Sequence, residues 1–82
     1  MTALYNLPLM PIAPGYIVRI KYGPKHPNNK VQHIRAIVDG CMVVSRTWSK
    51  RNQTWIYDVA HVYRIGFQME HGVATVEREK EG

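Results

Sequence analysis

Cationic side chains and aromatic rings are interleaved in the middle of the chain. Arginine carries a planar fork of donors suited to phosphate, and an aromatic face stacks a nucleic-acid base for about 1–3 kcal/mol. The residues that combine these properties are His33, Arg35, Arg46, Trp48, Trp55 and Tyr57, with Lys25, Lys30, Lys50 and Arg51 in two adjoining loops. Together they predict a surface that binds nucleic acid or a phosphate-bearing nucleotide. The alternative is that the two tryptophans fill the core of so small a protein.

Groups that would support catalysis are much harder to find in the sequence. There is no glycine-rich phosphate loop and no HExxH motif, and Asp39 and Asp58 are expected in a turn and at a helix N-terminus. Cys41 is the only cysteine and is expected on a buried face, where a thiol is unreactive. The four histidines lack the spacing of metal ligands. The sequence therefore predicts a protein that is not an enzyme and uses no metal or cofactor.

Charge is distributed unevenly along the 82 residues, whose formal net charge is +5. Residues 1–69 hold nine Lys or Arg against two acids, whereas residues 70–82 hold two against four. The positive field of the larger part favours phosphate-bearing or acidic partners, although solubility alone is a plainer reason for such a charge. With one cysteine and no apolar run of membrane length, the chain is expected to be cytoplasmic and not bound to a membrane.

A β-hairpin is expected to position the central residues, and Asp39 and Gly40 predict its turn. Asp-Gly between β-branched runs favours a two-residue type I′ turn, in which glycine supplies a positive φ without strain. Such a turn predicts a buried face that carries the pairs Val38 with Cys41, Ala36 with Val43, and Ile34 with Ser45. The opposite face then carries the pairs Ile37 with Met42, Arg35 with Val44, and His33 with Arg46.

The position of the third strand depends on the length of the loop before it. A four-residue loop at 49–52 pairs Arg46 with Trp55 and Val44 with Tyr57, which sets these rings beside the arginines on one surface. A loop one residue shorter or longer turns the strand over and buries both rings instead, because side chains alternate between the two faces. The sequence leaves both registers open.

Further elements frame this three-stranded unit on its N-terminal side. Residues 15–23 alternate as a strand between two glycines. Its expected buried side is Tyr16, Val18, Ile20 and Tyr22, and its wetter side is Ile17, Arg19 and Lys21. Residues 24–30 form a basic loop with two prolines, either at the mouth of the binding surface or as a simple solvated turn.

The elements after the third strand are shorter. Asp58 is expected to cap a single turn of helix near residues 59–63, where Val59, Val62 and Tyr63 share one side. Two short strands follow at 64–68 and 72–77.

The chain as a whole divides into an arm, a domain and a tail. Residues 1–14 contain three prolines and are expected to form an extended arm. The apolar side chains of the arm either cover the open end of their own barrel or pack on a neighbouring subunit. Residues 15–77 form a single β-barrel domain, and residues 78–82 a charged tail. Because a domain of this size is usually marginal alone, a homo-oligomer is expected.

The predicted elements follow one another in a recognisable order. A first strand, a basic loop and a tight hairpin are followed by a Trp-x-Tyr strand, a helical turn and a closing strand. This order resembles that of the SH3-like barrels. The resemblance covers residues 15–67 and includes the Tudor and KOW-type modules, although the KOW glycine signature is absent. It implies an all-β, mainly antiparallel barrel of about five to six strands. In length and economy the chain also resembles accessory proteins of phages and mobile elements, including small counter-defence proteins.

Two classes of function follow from these patterns. In the first, the basic and aromatic face binds nucleic acid, or a nucleotide is sequestered between subunits. In the second, the chain is an inhibitor or adaptor of another protein and uses the same arginines and tryptophans, its edge strand or its N-terminal arm. Arg and Trp are enriched in both kinds of surface, so composition does not separate the two classes.

Overall fold

The computed structural model describes residues 12–79, which form one antiparallel sheet and one helix. The elements are β1 (Tyr16–Ile20), β2 (Lys30–Val38), β3 (Met42–Ser49), β4 (Thr54–His61), α1 (Val62–Glu70) and β5 (Ala74–Arg78). The strand order is β4-β3-β2-β1-β5, and every neighbouring pair is antiparallel. The all-β, mainly antiparallel fold class is thereby confirmed. Within the described residues the sheet stays open, with β4 and β5 as its edges, so the expected barrel is not closed there.

The hydrophobic core lies between α1 and one face of the sheet, which we call the helix-side face. Its buried members are Val18, Ile20, Ile34, Val43, Ile65, Ala74 and Val76. Val18 and Ile20 are buried as predicted, and Tyr16 packs against the core from its margin. Tyr22 is 47% exposed, because β1 ends at Ile20 and the alternation ends with it. The prediction that Tyr22 is buried was therefore wrong.

Ile17 was expected on the solvated side of β1 but is buried. It lies on the face opposite α1, which we call the open face, between His33 of β2 and Glu77 of β5. It is nevertheless only 8% exposed. The open face is therefore not uniformly solvated, since its centre already carries a buried aliphatic side chain.

The β2–β3 hairpin contains two irregularities that cancel. Asp39 and Gly40 have φ angles of 54° and 73°, and the Cys41 N–H donates to the Val38 carbonyl at 3.2 Å, as expected for the predicted turn. The ladder nevertheless begins with Val38 opposite Met42, which leaves Cys41 outside it. The register shifts again by one residue between Ile34 and Ala36, where a β-bulge sets Arg35 outside the pairing.

Predicted pairs are right on one side of this bulge and wrong on the other. Beyond it, Ile34 pairs with Ser45 and His33 with Arg46, as the sequence predicted. Between the turn and the bulge, the observed pairs are Ala36 with Val44, Ile37 with Val43, and Val38 with Met42. Ile37 therefore packs against the core, whereas Val38, which was predicted to be buried, is 45% exposed.

The helix α1 replaces both the single helical turn near 59–63 and the strand predicted at 64–68. Asp58 lies within β4 and does not cap the helix; His61 does, because its Nδ1 accepts from the Tyr63 N–H at 3.1 Å. Val62, Ile65 and Met69 recur at helical spacing on the side that meets the core. The run at 64–68 was too short for its periodicity to distinguish a strand from a helix.

The closing strand β5 was predicted at residues 72–77, slightly before its observed position at Ala74–Arg78. After α1, Gly72 has a φ of 71° and its N–H donates to the Met69 carbonyl at 3.0 Å, which turns the chain back to the sheet. β5 then runs along β1 with Arg78 opposite Tyr16, so Arg78 belongs to the sheet and not to the charged tail. The predictions for residues 1–11 and 80–82 lie outside the described residues.

The observed register makes a specific prediction about stability. Val43 is 2% exposed and Val38 is 45% exposed, although the regular hairpin would bury both. Val43→Ala is expected to lower the free energy of unfolding by about 2 kcal/mol, since it removes buried methyl groups. Val38→Ala should change it by less than about 0.5 kcal/mol. Urea unfolding of both variants measures the difference, and equal losses would contradict the bulge.

Candidate functional site

Pairing between β3 and β4 decides where the aromatic residues lie. Trp48 is opposite Trp55 and Arg46 is opposite Tyr57. The loop comprises residues 50–53, so each partner differs by two positions from the pairing that the sequence suggested. A shift of two preserves the face. Trp55 and Tyr57 therefore share the open face with Arg46, and the alternative register that buried them is excluded.

Arg46 and Trp55 form the centre of this group. The guanidinium carbon of Arg46 lies 4.0 Å from the centre of the Trp55 ring, and its Nη1 donates to the Tyr57 hydroxyl at 3.2 Å. Trp48 meets Trp55 edge-on with 5.2 Å between ring centres, and His33 does so at 5.5 Å. We refer to these five residues as the aromatic cluster.

Exposure divides the aromatic cluster into a base and a rim. The side chains of His33, Arg46 and Trp55 are partly buried, whereas Trp48 is 43% exposed and Tyr57 is 58% exposed. The inner members hold one another by ring contacts and stacking of the guanidinium. Two rings are thus presented to solvent on a support that is already ordered, which limits the entropy lost when a flat ligand binds.

The positively charged side chains in and next to the aromatic cluster have few acidic partners. Arg46 has no acidic partner among residues 12–79, and its Nε atom is buried there without a hydrogen-bond partner. Lys50 and Arg51 are exposed in the turn that joins the two strands, directly after Trp48 and Ser49. The rings therefore lie beside three cations, which is a suitable arrangement for an anionic ligand with planar groups.

On the β1–β5 side of the open face, two acidic residues lie close to basic side chains. Arg19 donates to Glu77 Oε1 through Nε at 3.0 Å and Nη2 at 2.8 Å. His33 Nδ1 lies 3.5 Å from Glu79 Oε1. Glu79 was expected in the charged tail, although the alternation of Glu77 and Glu79 indicates that both side chains point to the same face.

Other residues predicted for the site lie elsewhere. Arg35 is exposed in the β-bulge, outside the ladder that carries the aromatic cluster. Lys30 pairs with Ile20 on the helix-side face, and Lys25 lies in the loop that precedes it, with a φ of 56°. The structure thus brings together His33, Arg46, Trp48, Trp55 and Tyr57, with Lys50 and Arg51 beside them. It does not bring Lys25, Lys30 or Arg35 into this group.

No three His, Cys, Asp or Glu side chains among residues 12–79 lie close enough together to hold a metal ion. No helix described there is long and apolar enough to cross a membrane. Comparison of the chain with family models, with curated proteins and with solved structures finds no significant match. Any functional assignment therefore rests on the chemistry of the surface itself.

The stacking of Arg46 on Trp55 is testable by a double-mutant cycle. Unfolding free energies of Arg46→Ala, Trp55→Ala and the double variant are expected to give a coupling energy of about 0.5–1 kcal/mol. Arg35 with Trp55 is the control pair, because Arg35 lies exposed in the bulge. It should couple to Trp55 by less than about 0.3 kcal/mol. Equal coupling in the two pairs would show that the contact is not specific.

Proposed function

We propose that this protein binds single-stranded nucleic acid, without turnover, through the aromatic cluster and the turn at residues 50–53. The observation that carries the proposal is the exposure of Trp48 and Tyr57 on either side of the stacked Arg46 and Trp55. Proteins that bind single strands combine aromatic platforms with cationic tracks for the backbone. A duplex would keep its bases stacked internally, so exposed rings on a sheet favour an unpaired strand.

The arrangement also suggests how a strand would lie. Bases would stack on Trp48 and Tyr57, and Arg46, Lys50 and Arg51 would meet the phosphates between and beyond them. Because Glu77 lies on β5 and Glu79 lies next to His33, on the side of the aromatic cluster away from β4, the backbone would follow β3, β4 and their turn. A single cysteine and a nucleic-acid surface favour action inside the cell.

Salt dependence tests the phosphate contacts. Binding of a fluorescently labelled oligonucleotide is expected to weaken with salt, with a slope of log K against log salt of about −2 for three phosphates. Lys50→Gln should reduce the slope by about 0.7, since one counterion fewer is displaced. Anisotropy titrations at several salt concentrations measure both values. An affinity that does not change with salt would refute nucleic-acid binding.

Aromatic stacking is tested by a matched pair of variants. Tyr57 and Phe67 are almost equally exposed, at 58% and 56%, but Phe67 lies on α1, away from the cluster. Tyr57→Ala is expected to weaken oligonucleotide binding by about 5- to 150-fold, the equivalent of one lost stack. Phe67→Ala should leave it unchanged, and equal effects of the two variants would contradict the proposed surface. A nucleotide held between subunits would instead give saturable mononucleotide binding that Tyr57→Ala abolishes.

A second candidate function is association with another protein chain through β4. This strand pairs only with β3 among the described residues, and it exposes Ile56, Tyr57 and Val59 on both of its faces. A long apolar edge strand is a template for pairing with a second copy or with another protein. Such pairing also suits an inhibitor or adaptor, and it would bury side chains that α1 leaves uncovered.

Ile56→Lys separates this association from nucleic-acid binding, because Ile56 lies on the helix-side face and not in the aromatic cluster. Light scattering is expected to show an assembly of the wild-type chain that Ile56→Lys reduces to a 9.5 kDa monomer. Val38→Lys is the control, since Val38 is exposed at the hairpin and not on an edge strand. A wild-type monomer, or equal loss in both variants, would argue against pairing through β4.

A further inference from the structure

A cavity of about 420 Å³ lies on the helix-side face, away from the aromatic cluster. It opens between α1 and the loop that joins β1 to β2, and its polar lining includes Tyr22, Asn29, Lys30, Asp58, Arg64 and Gln68. A volume of this size falls within the range of small-molecule sites. No part of the proposed nucleic-acid surface contributes to it, so the cavity needs a separate explanation.

The loop that forms one wall is held in a defined shape. Asn29 bridges its two ends, because its Oδ1 accepts from the Tyr22 N–H at 2.7 Å and its Nδ2 donates to the Gly23 carbonyl at 2.6 Å. His26 Nδ1 accepts from the Asn28 N–H at 3.0 Å within the same turn. The Lys21 N–H also donates to the Val73 carbonyl at 2.8 Å, which ties the start of the loop to the segment before β5. This wall is therefore fixed by hydrogen bonds before any ligand arrives.

Charge in the cavity is positive overall. Arg64 and Asp58 face each other in an ion pair, so their charges offset. Lys30 also lines the cavity and has no acidic partner among residues 12–79. An ammonium and a guanidinium in the lining of one cavity provide donors for an anionic group.

The remaining lining groups suit a planar polar molecule. Tyr22 is 47% exposed, and its ring lies 5.2 Å from that of His26. Gln68 projects from α1 into the lining, and its Oε1 atom is buried without a hydrogen-bond partner in the described part of the chain. A buried acceptor without a donor costs free energy, and a hydrogen bond from a ligand N–H would remove that cost.

We propose that this cavity is a second site, for a small phosphate-bearing ligand of nucleoside monophosphate size. Lys30 and Arg64 bind the phosphate, the Tyr22 ring packs against the base, and the Gln68 amide accepts a hydrogen bond from it. The site lies on the opposite side of the sheet from the aromatic cluster. It therefore adds a small-molecule function to the proposed binding of single strands and does not depend on that function.

The test is a titration of the full chain, labelled with nitrogen-15, with each of the four ribonucleoside monophosphates. Backbone amide shifts are expected to saturate at Tyr22, Lys30, Arg64 and Gln68. Lys30→Gln should weaken binding about tenfold, because one charge-assisted contact is lost. Lys25→Gln is the matched control, since Lys25 lies in the loop that precedes Lys30 but does not line the cavity. Its affinity should stay within about twofold of the wild type.

Further arms of this titration identify the ligand class and can overturn the proposal. Inorganic phosphate and adenosine are each expected to bind more weakly than the monophosphates. Phosphate lacks the contacts of the base, and adenosine lacks the contacts of the phosphate. If inorganic phosphate binds as tightly as the nucleotides, the cavity is only an anion-binding contact and the base is not recognised. If adenosine binds as tightly as the monophosphates, Lys30 does not contribute to binding through the phosphate. Absence of saturable shifts at millimolar ligand, or shifts confined to β3 and β4, would refute the site. Tyr57→Ala, which disrupts the aromatic cluster, should leave these shifts in place.

Discussion

The rest of this structure depends on one constraint, which is the strand register that decides which face of the sheet each side chain occupies. Side chains of a strand alternate between two faces, so a slip of one residue exchanges the core for the surface. In the β2–β3 hairpin, Cys41 adds one residue on one side, and the bulge at Arg35 adds one on the other. Because the two additions cancel, His33 and Arg46 return to the same face. The arginine that stacks on Trp55 owes its position to this compensation.

The small size of the domain explains why the open face keeps its rings. A single nine-residue helix covers one side of a five-stranded sheet, and the described chain has no second layer for the other side. Ile17 is buried at the centre of the open face, but Trp48 and Tyr57 towards its β4 margin remain substantially exposed. Adjacent exposed rings on an ordered support suit a ligand or partner better than they suit solvent. The aromatic residues are thus explained by packing only in part.

Local signals in the sequence predicted the hairpin turn and the core residues Val18 and Ile20 of β1. The β-bulge and the helix cap depend on pairing between strands, and local signals did not predict them. Asp39 and Gly40 specify positive φ angles by their own chemistry, and Val18 and Ile20 alternate cleanly. The bulge at Arg35 has no local signal, because any exposed residue can be left outside a ladder. Asp58 is a good helix cap by type, yet pairing with Ser45 keeps it in β4, and His61 caps α1 instead. Tertiary pairing therefore overrode a local preference.

The same reasoning applies to the site residues. The sequence placed Lys25 and Lys30 beside the aromatic face because a basic loop followed a strand, but the face that a loop approaches depends on the strand pairing. Lys30 stands opposite Ile20, whose side chain points to α1, and so it joins the cavity instead. Arg64 was not among the predicted site residues, because a strand was expected where the helix runs.

Pairing of β5 with β1 shapes the electrostatics of the open face. β5 brings Glu77 within ion-pair distance of Arg19, so the charge of this arginine is offset, and it leads to Glu79, which lies beside His33. At the β3–β4 side, Arg46, Lys50 and Arg51 have no acidic partner among residues 12–79. In the proposed function, a field confined to one margin would give a single strand a preferred path, which an evenly basic surface would not. Glu77 and Glu79 therefore confine the unpaired positive charge to the β3–β4 side of the open face, where the stacked Arg46 is the cation around which the rings are arranged.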